Sequence, residues 1–90
     1  MGVKIELNPF FFEATGGEDS FEAEGNTVGD CLKGLTERFP ALREKLFTKR
    51  GELQSYIEIY VNGVSTHPQG LTYPVKDGDE IAVTVLAAGG

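Results

Sequence analysis

The hydrophobic period of this chain changes twice along its length, and that change limits what it can fold into. At the start, Val3, Ile5 and Leu7 alternate with Lys4 and Glu6, a period of two that marks a strand with one buried face. Phe21 and Ala23 alternate with Glu22 and Glu24 in the same way, after a turn cluster at 15–20 (TGGEDS). A hairpin is therefore expected, with a connection longer than a tight turn. Within that connection Pro9 and the three phenylalanines at 10–12 are too apolar for a free loop. Some of those rings must pack inside, and the pattern does not choose among them.

From Val28 the period becomes helical, with Val28, Leu32, Leu35 and Phe39 forming one stripe. Thr27 is placed to cap the helix, and Asp30 puts a carboxylate against the free N–H groups of its first turn. Pro40 disfavours helical geometry at Phe39, so the helix should stop there, and it can open a second short turn carrying Leu42 and Leu46. Period two returns at 56–63 (YIEIYVNG), where Ile57, Ile59 and Val61 share a face and Asn62-Gly63 supplies a hairpin turn. An irregular stretch (65–75) and a tight turn at 76–79 (KDGD) follow. The last strand is expected from Glu80 to Leu86, with Ile81, Val83 and Val85 on one side and Ala82, Thr84 and Leu86 on the other. Asp77, Asp79 and Glu80 read as a solvated turn before that strand.

Strand, strand, helix, strand, short hairpin, strand is the order of an α+β domain: a mixed sheet with one main helix packed on one face. The helix sits where a parallel pairing needs a long connection. A last strand lying parallel to the first would be central and rigidly held, and its end would project from a stable platform. One domain over 1–86 is expected, followed by an extended tail at 87–90.

Composition narrows the functions open to such a domain. The formal net charge of −6 argues against nucleic acid, whose phosphates need Lys and Arg. The charge is uneven: by residue count, 1–30 carries −6, 31–50 carries +4 and 51–90 carries −4. A solvated helix face is the simpler reading of the basic stretch, and a docking surface is the other. No apolar run approaches the roughly 20 residues needed to span a bilayer, and the first residues lack a secretory or myristoylation pattern, so a cytoplasmic protein is expected. Cys31 is the single cysteine and His67 the single histidine, so no metal cluster is expected. Cys31 lies within the apolar helical pattern, as a small buried hydrophobe would. No phosphate-binding glycine motif is present, so no nucleotide or other cofactor is expected to be bound by the chain itself.

After the last strand come Ala87, Ala88, Gly89 and Gly90. Extended, four residues reach about 14 Å, enough to enter a narrow slot in another protein. Glycine suits such an entry because, lacking a Cβ, it lets other backbone approach closely. A carboxylate at Gly90 is unreactive at neutral pH and needs activation to become an acyl donor. Attack on ATP is one route, with Mg²⁺ and phosphate clamps that a partner must supply.

The helix opened by TVGD (27–30), IYVNG (59–63), GL (70–71) and the ending DGDEIAVTVLAAGG (77–90) together resemble the small sulfur carriers of the MoaD/ThiS family. The resemblance covers essentially the whole length and implies the ubiquitin-like β-grasp fold. It implies a protein that is not an enzyme: a separate adenylating enzyme, using ATP and Mg²⁺, activates the terminal glycine, which becomes a thiocarboxylate and gives its sulfur to a biosynthetic enzyme. Carried onto this chain, Gly90 is the acceptor with Gly89 beside it, Ala88 and Ala87 line the slot, and Leu86 lies at its mouth. TGG at 15–17 and IYVN at 59–62 are similar to the molybdopterin-type and cysteine-type branches. Thr84-Val85-Leu86 stands where many of those carriers have a proline, which leaves the recipient enzyme open. A ubiquitin-like modifier joined to lysines through Gly90 shares the fold, the tail and the adenylation step, and is the alternative.

Overall fold

A computed structural model describes residues 2–86; Met1 and residues 87–90 lie outside the described residues, and with them the expected tail. The elements are β1 (Val3–Leu7), α1 (Phe12–Thr15), β2 (Ser20–Ala23), α2 (Val28–Arg38), α3 (Leu42–Leu46), β3 (Ile57–Val61), β4 (Val64–Ser65) and β5 (Glu80–Val85), with 3₁₀ turns at Pro9–Phe11 and Gly70–Thr72. The five strands form one sheet in the order β2-β1-β5-β3-β4. β1 and β5 run parallel, with Ile5 opposite Ile81 and Leu7 opposite Val83. β3 lies antiparallel on the other side of β5, pairing Ile59 with Val83. The last strand is thus parallel to the first and central, the arrangement that gives it a rigid hold.

Helix α2 begins as the sequence predicts: the Thr27 hydroxyl accepts from the Asp30 N–H at 3.1 Å. Asp30 reaches back, its Oδ2 accepting from the Asn26 N–H at 3.1 Å. Phe39, just before Pro40, closes the helix with its N–H on the Leu35 carbonyl. Caps of this kind contribute about 1 kcal/mol each. Burial contributes more. Val28, Leu32 and Leu35 of α2 and Leu42 and Leu46 of α3 are fully buried, in one cluster with Val3, Ile5, Ile81 and Val83. Each such side chain contributes about 1.5–3 kcal/mol relative to exposure, so the core outweighs the caps.

The connection between β1 and β2 is not a plain loop. Asn8 caps the 3₁₀ turn, its Oδ1 accepting from the Phe10 N–H at 2.8 Å. That turn sends Phe11 fully into the core, leaves Phe10 about half exposed and Phe12 half-buried. The Asn62-Gly63 turn forms as expected, with φ of 51° and 82° and with Val61 opposite Val64. The neighbouring turn at 76–79 corrects an expectation. Asp79 is buried, not solvated. Its carboxylate accepts from the Asn62 side-chain amide at 3.0 Å and from the Lys76 N–H at 2.9 Å. It therefore ties two turns together at the start of β5.

Candidate functional site

The far end of β5 is where the chain leaves the sheet toward the residues read as its working part. Ile81 and Val83 are fully buried and Val85 is partly so, while Ala82 and Thr84 face the other way, half-buried. The Thr84 hydroxyl donates to the Glu58 carbonyl at 2.8 Å, and the Leu86 N–H donates to the Tyr56 carbonyl at 2.8 Å. Leu86 is the last described residue and is 52% exposed. The face assignment made from alternation holds. The expectations for Ala87, Ala88, Gly89 and Gly90 fall outside the described residues.

Two aromatic residues that sequence reasoning passed over stand at this exit. Phe10 is 49% exposed and Tyr56 36%. Their ring centroids are 6.0 Å apart, edge to face. The placement is built. Asn8 gives its N–H to the Val83 carbonyl at 3.1 Å while its side chain fixes Phe10. The Tyr56 hydroxyl donates to the Lys45 carbonyl at 2.8 Å, and the Lys45 ammonium lies 5.2 Å from the Phe10 ring centre. Exposed apolar side chains grouped in this way mark contact surfaces. The signal in the sequence was Asn8-Pro9, a cap followed by a residue suited to a first helical turn, which decides which phenylalanine turns outward. Leu86 also borders a depression lined by Leu53, Gln54, Ile57, Glu58 and His67.

Cys31 is fully buried, and burial, aided by the Asp30 carboxylate, pushes its thiol above the ordinary range, away from the reactive thiolate. Among the described residues no group of His, Cys, Asp or Glu could hold a metal ion. No helix of the described residues is long and apolar enough to cross a membrane.

A mixed sheet with its central strand parallel to the first, and one main helix in its grasp, is the ubiquitin-like β-grasp architecture. The ThiS family model matches residues 5–90. This chain belongs to the ThiS family. The sulfur carrier protein CysO of Mycobacterium tuberculosis is 29% identical over 93 residues, across 100% of both chains. A putative sulfur carrier protein of Archaeoglobus fulgidus is 33% identical over 91 residues, again across 100% of both. Among solved structures, a chain of the Amycolatopsis orientalis BexX/CysO complex superposes with a TM-score of 0.88 and 31% identity, covering 99% of this chain and 100% of that one. The small archaeal modifier protein 1 of Methanosarcina acetivorans superposes with a TM-score of 0.84 and 35% identity, covering 98% and 95%.

Proposed function

We propose that this protein is a sulfur carrier, a cosubstrate and not an enzyme, whose Gly90 carboxylate is activated by a separate adenylating enzyme. The observation that carries the reading is that the central strand β5 leads, past an exposed Leu86, into the final residues of a family match that runs through residue 90. In the first step a carboxylate oxygen of Gly90 attacks the α-phosphorus of ATP, held with Mg²⁺ on the partner, and pyrophosphate leaves. In the second, a sulfide equivalent attacks the acyl carbon. A C–S bond forms, the bond to AMP breaks, and a thiocarboxylate remains. Gly89, Ala88 and Ala87 offer little side chain to obstruct a slot, and Leu86 anchors its mouth, with Phe10 and Tyr56 enlarging that apolar collar. The recipient is a biosynthetic enzyme that consumes the sulfur, and similarity to carriers named CysO favours the cysteine-type branch over the molybdopterin-type. The cytoplasm, where such enzymes and ATP are found, is the proposed location.

The similarity to a small archaeal modifier protein supports a second reading, in which a lysine amine attacks the same adenylate and an amide forms. Intact mass separates the two. With ATP, Mg²⁺, activating enzyme and sulfide, a carrier gains the mass difference between one sulfur and one oxygen and loses it on contact with its recipient. Amide adducts with no thiocarboxylate would reject the carrier reading in favour of the modifier.

A further inference from the structure

The basic stretch at 31–50 is where this acidic chain concentrates positive charge, and the fold divides five of its six cations into two kinds, leaving exposed Arg50 outside both. Arg38 lies over the Phe39 ring at 4.6 Å, and Lys45 sits over Phe10. Lys33 of α2, Arg43 of α3 and Lys49 of the following loop instead line one open groove, and all three are exposed. Among the described residues the ion pairs are Lys4–Glu6 and Lys76–Asp79, so no described carboxylate lies within ion-pair distance of these three. Glu44 is the one acidic side chain on the lining. Half-buried Phe47 and Leu71 also line it, adding apolar surface between the charges.

We propose that this groove docks an acidic segment of a partner protein, one that places an apolar side chain against Phe47 and Leu71 between its carboxylates. Charge complementarity selects that occupant. An acidic segment is attracted to the groove and repelled by the rest of a chain whose net charge is −6, which fixes orientation as well as contact. A nucleic acid would meet the same repulsion with too few cations to offset it. A free phosphate fits less well, because the loop amides are already used: the Thr48 hydroxyl accepts from the N–H groups of Arg50 and Glu52. Gln54 borders both this groove and the depression beside Leu86, so one partner can span both. The groove itself does not depend on the chemistry at Gly90.

The test is an amide-resolved titration of the full chain with a short amidated peptide of Asp and Glu carrying one Phe and one Leu. Saturable shifts are expected at Gly29, Phe47, Lys49, Gly51 and Leu71, weakening as salt rises. Reversing the three charges together (Lys33→Glu, Arg43→Glu, Lys49→Glu) should weaken binding about tenfold or more, since three exposed attractions, each modest, become repulsions. Arg43→Glu alone should give a smaller loss in the same direction, which keeps the test valid if the triple variant folds poorly. Equal binding of the same peptide with Asn and Gln in place of its acids would overturn the proposal. Shifts of equal size with inorganic pyrophosphate would overturn it too, as would shifts scattered over the surface or none at all.

Discussion

The two ends of strand β5 are built on opposite principles. At its start, Asp79 and Asn62 lock two turns together, the Asn62 N–H donates to the Glu80 carbonyl at 2.8 Å, the Asn62 side-chain oxygen accepts from the Glu80 N–H at 3.0 Å, and the Lys4 N–H donates to the Asp79 carbonyl at 3.1 Å. At its other end Leu86 is tied by its N–H to Tyr56, and Leu86, Tyr56 and Phe10 each leave apolar surface exposed. One end spends its polar groups on the fold, and the other leaves apolar groups for something else. Changes at the start should therefore be read out in stability and changes at the exit in partner recognition.

The largest expected effect is at the exit. On the proposed mechanism, an alanine added after Gly90 would put a Cβ into the partner's slot and displace the carboxylate. Activation by the adenylating enzyme should be abolished while the thermal midpoint stays where it was; efficient loading of the extended chain would break the slot model. Next comes Leu86→Glu, which should weaken binding of that enzyme about tenfold or more, as loss of an apolar anchor does, with the domain still folded. Unfolding by this change would move Leu86 into the core and erase the contrast between the two ends.

Changes at the start of the strand should be smaller and of the other kind. Asn62→Ala removes both side-chain hydrogen bonds and puts a β-carbon residue without a polar side chain at positive φ. The thermal midpoint should fall by several degrees with thiocarboxylate formation unaffected. The same site carries a pH signature. The Asn62 amide first, then the Lys76 N–H and ammonium, hold the Asp79 carboxyl below its ordinary range. A carboxyl depressed in the folded state contributes stability that is fully present above its unfolded pKa of about 3.9 and is lost as pH falls through the lower folded value. Asp79→Asn should therefore flatten the acid limb of the stability curve below about pH 4, and an unchanged limb would show that Asp79 does not carry it. Smallest of all, Cys31→Ala should cost at most about 2 kcal/mol and leave sulfur loading intact. Loss of loading in a folded Cys31→Ala chain would give the thiol a role that its burial argues against.

What was legible in the sequence was what one segment decides alone. Alternation at Val3–Leu7 and from Glu80, the stripe from Val28 to Phe39 and its Thr27 cap each follow from local periodicity, and the structure bears them out, with the last strand ending at Val85, one residue before the expected Leu86. The order of those elements was enough for the mixed sheet; the central place of the last strand depended on its pairing parallel to the first, which the structure supplies. What was not legible depends on meetings between distant segments. The phenylalanines are a different case: three adjacent rings are equivalent by hydrophobic pattern, and the local signal that separates buried Phe11 from exposed Phe10, the capped turn at Asn8-Pro9, lies outside that pattern. Asp79 reads as solvent-facing because its partner is Asn62, in a different turn. The cationic groove needs Lys33, Arg43 and Lys49 from three pieces of chain. At the exit, alternation placed Leu86 outward, but nothing local paired it with Tyr56 and Phe10.

The central claim is that the globular domain is a platform and the last four residues are its working part. Its most direct test is pyrophosphate exchange by the adenylating enzyme, measured with the full chain and with a chain ending at Leu86, both shown to melt at the same temperature. The expected result is exchange with the full chain and none with the shortened one. Exchange supported by the shortened chain would contradict the claim, because activation would then not depend on the Gly90 carboxylate.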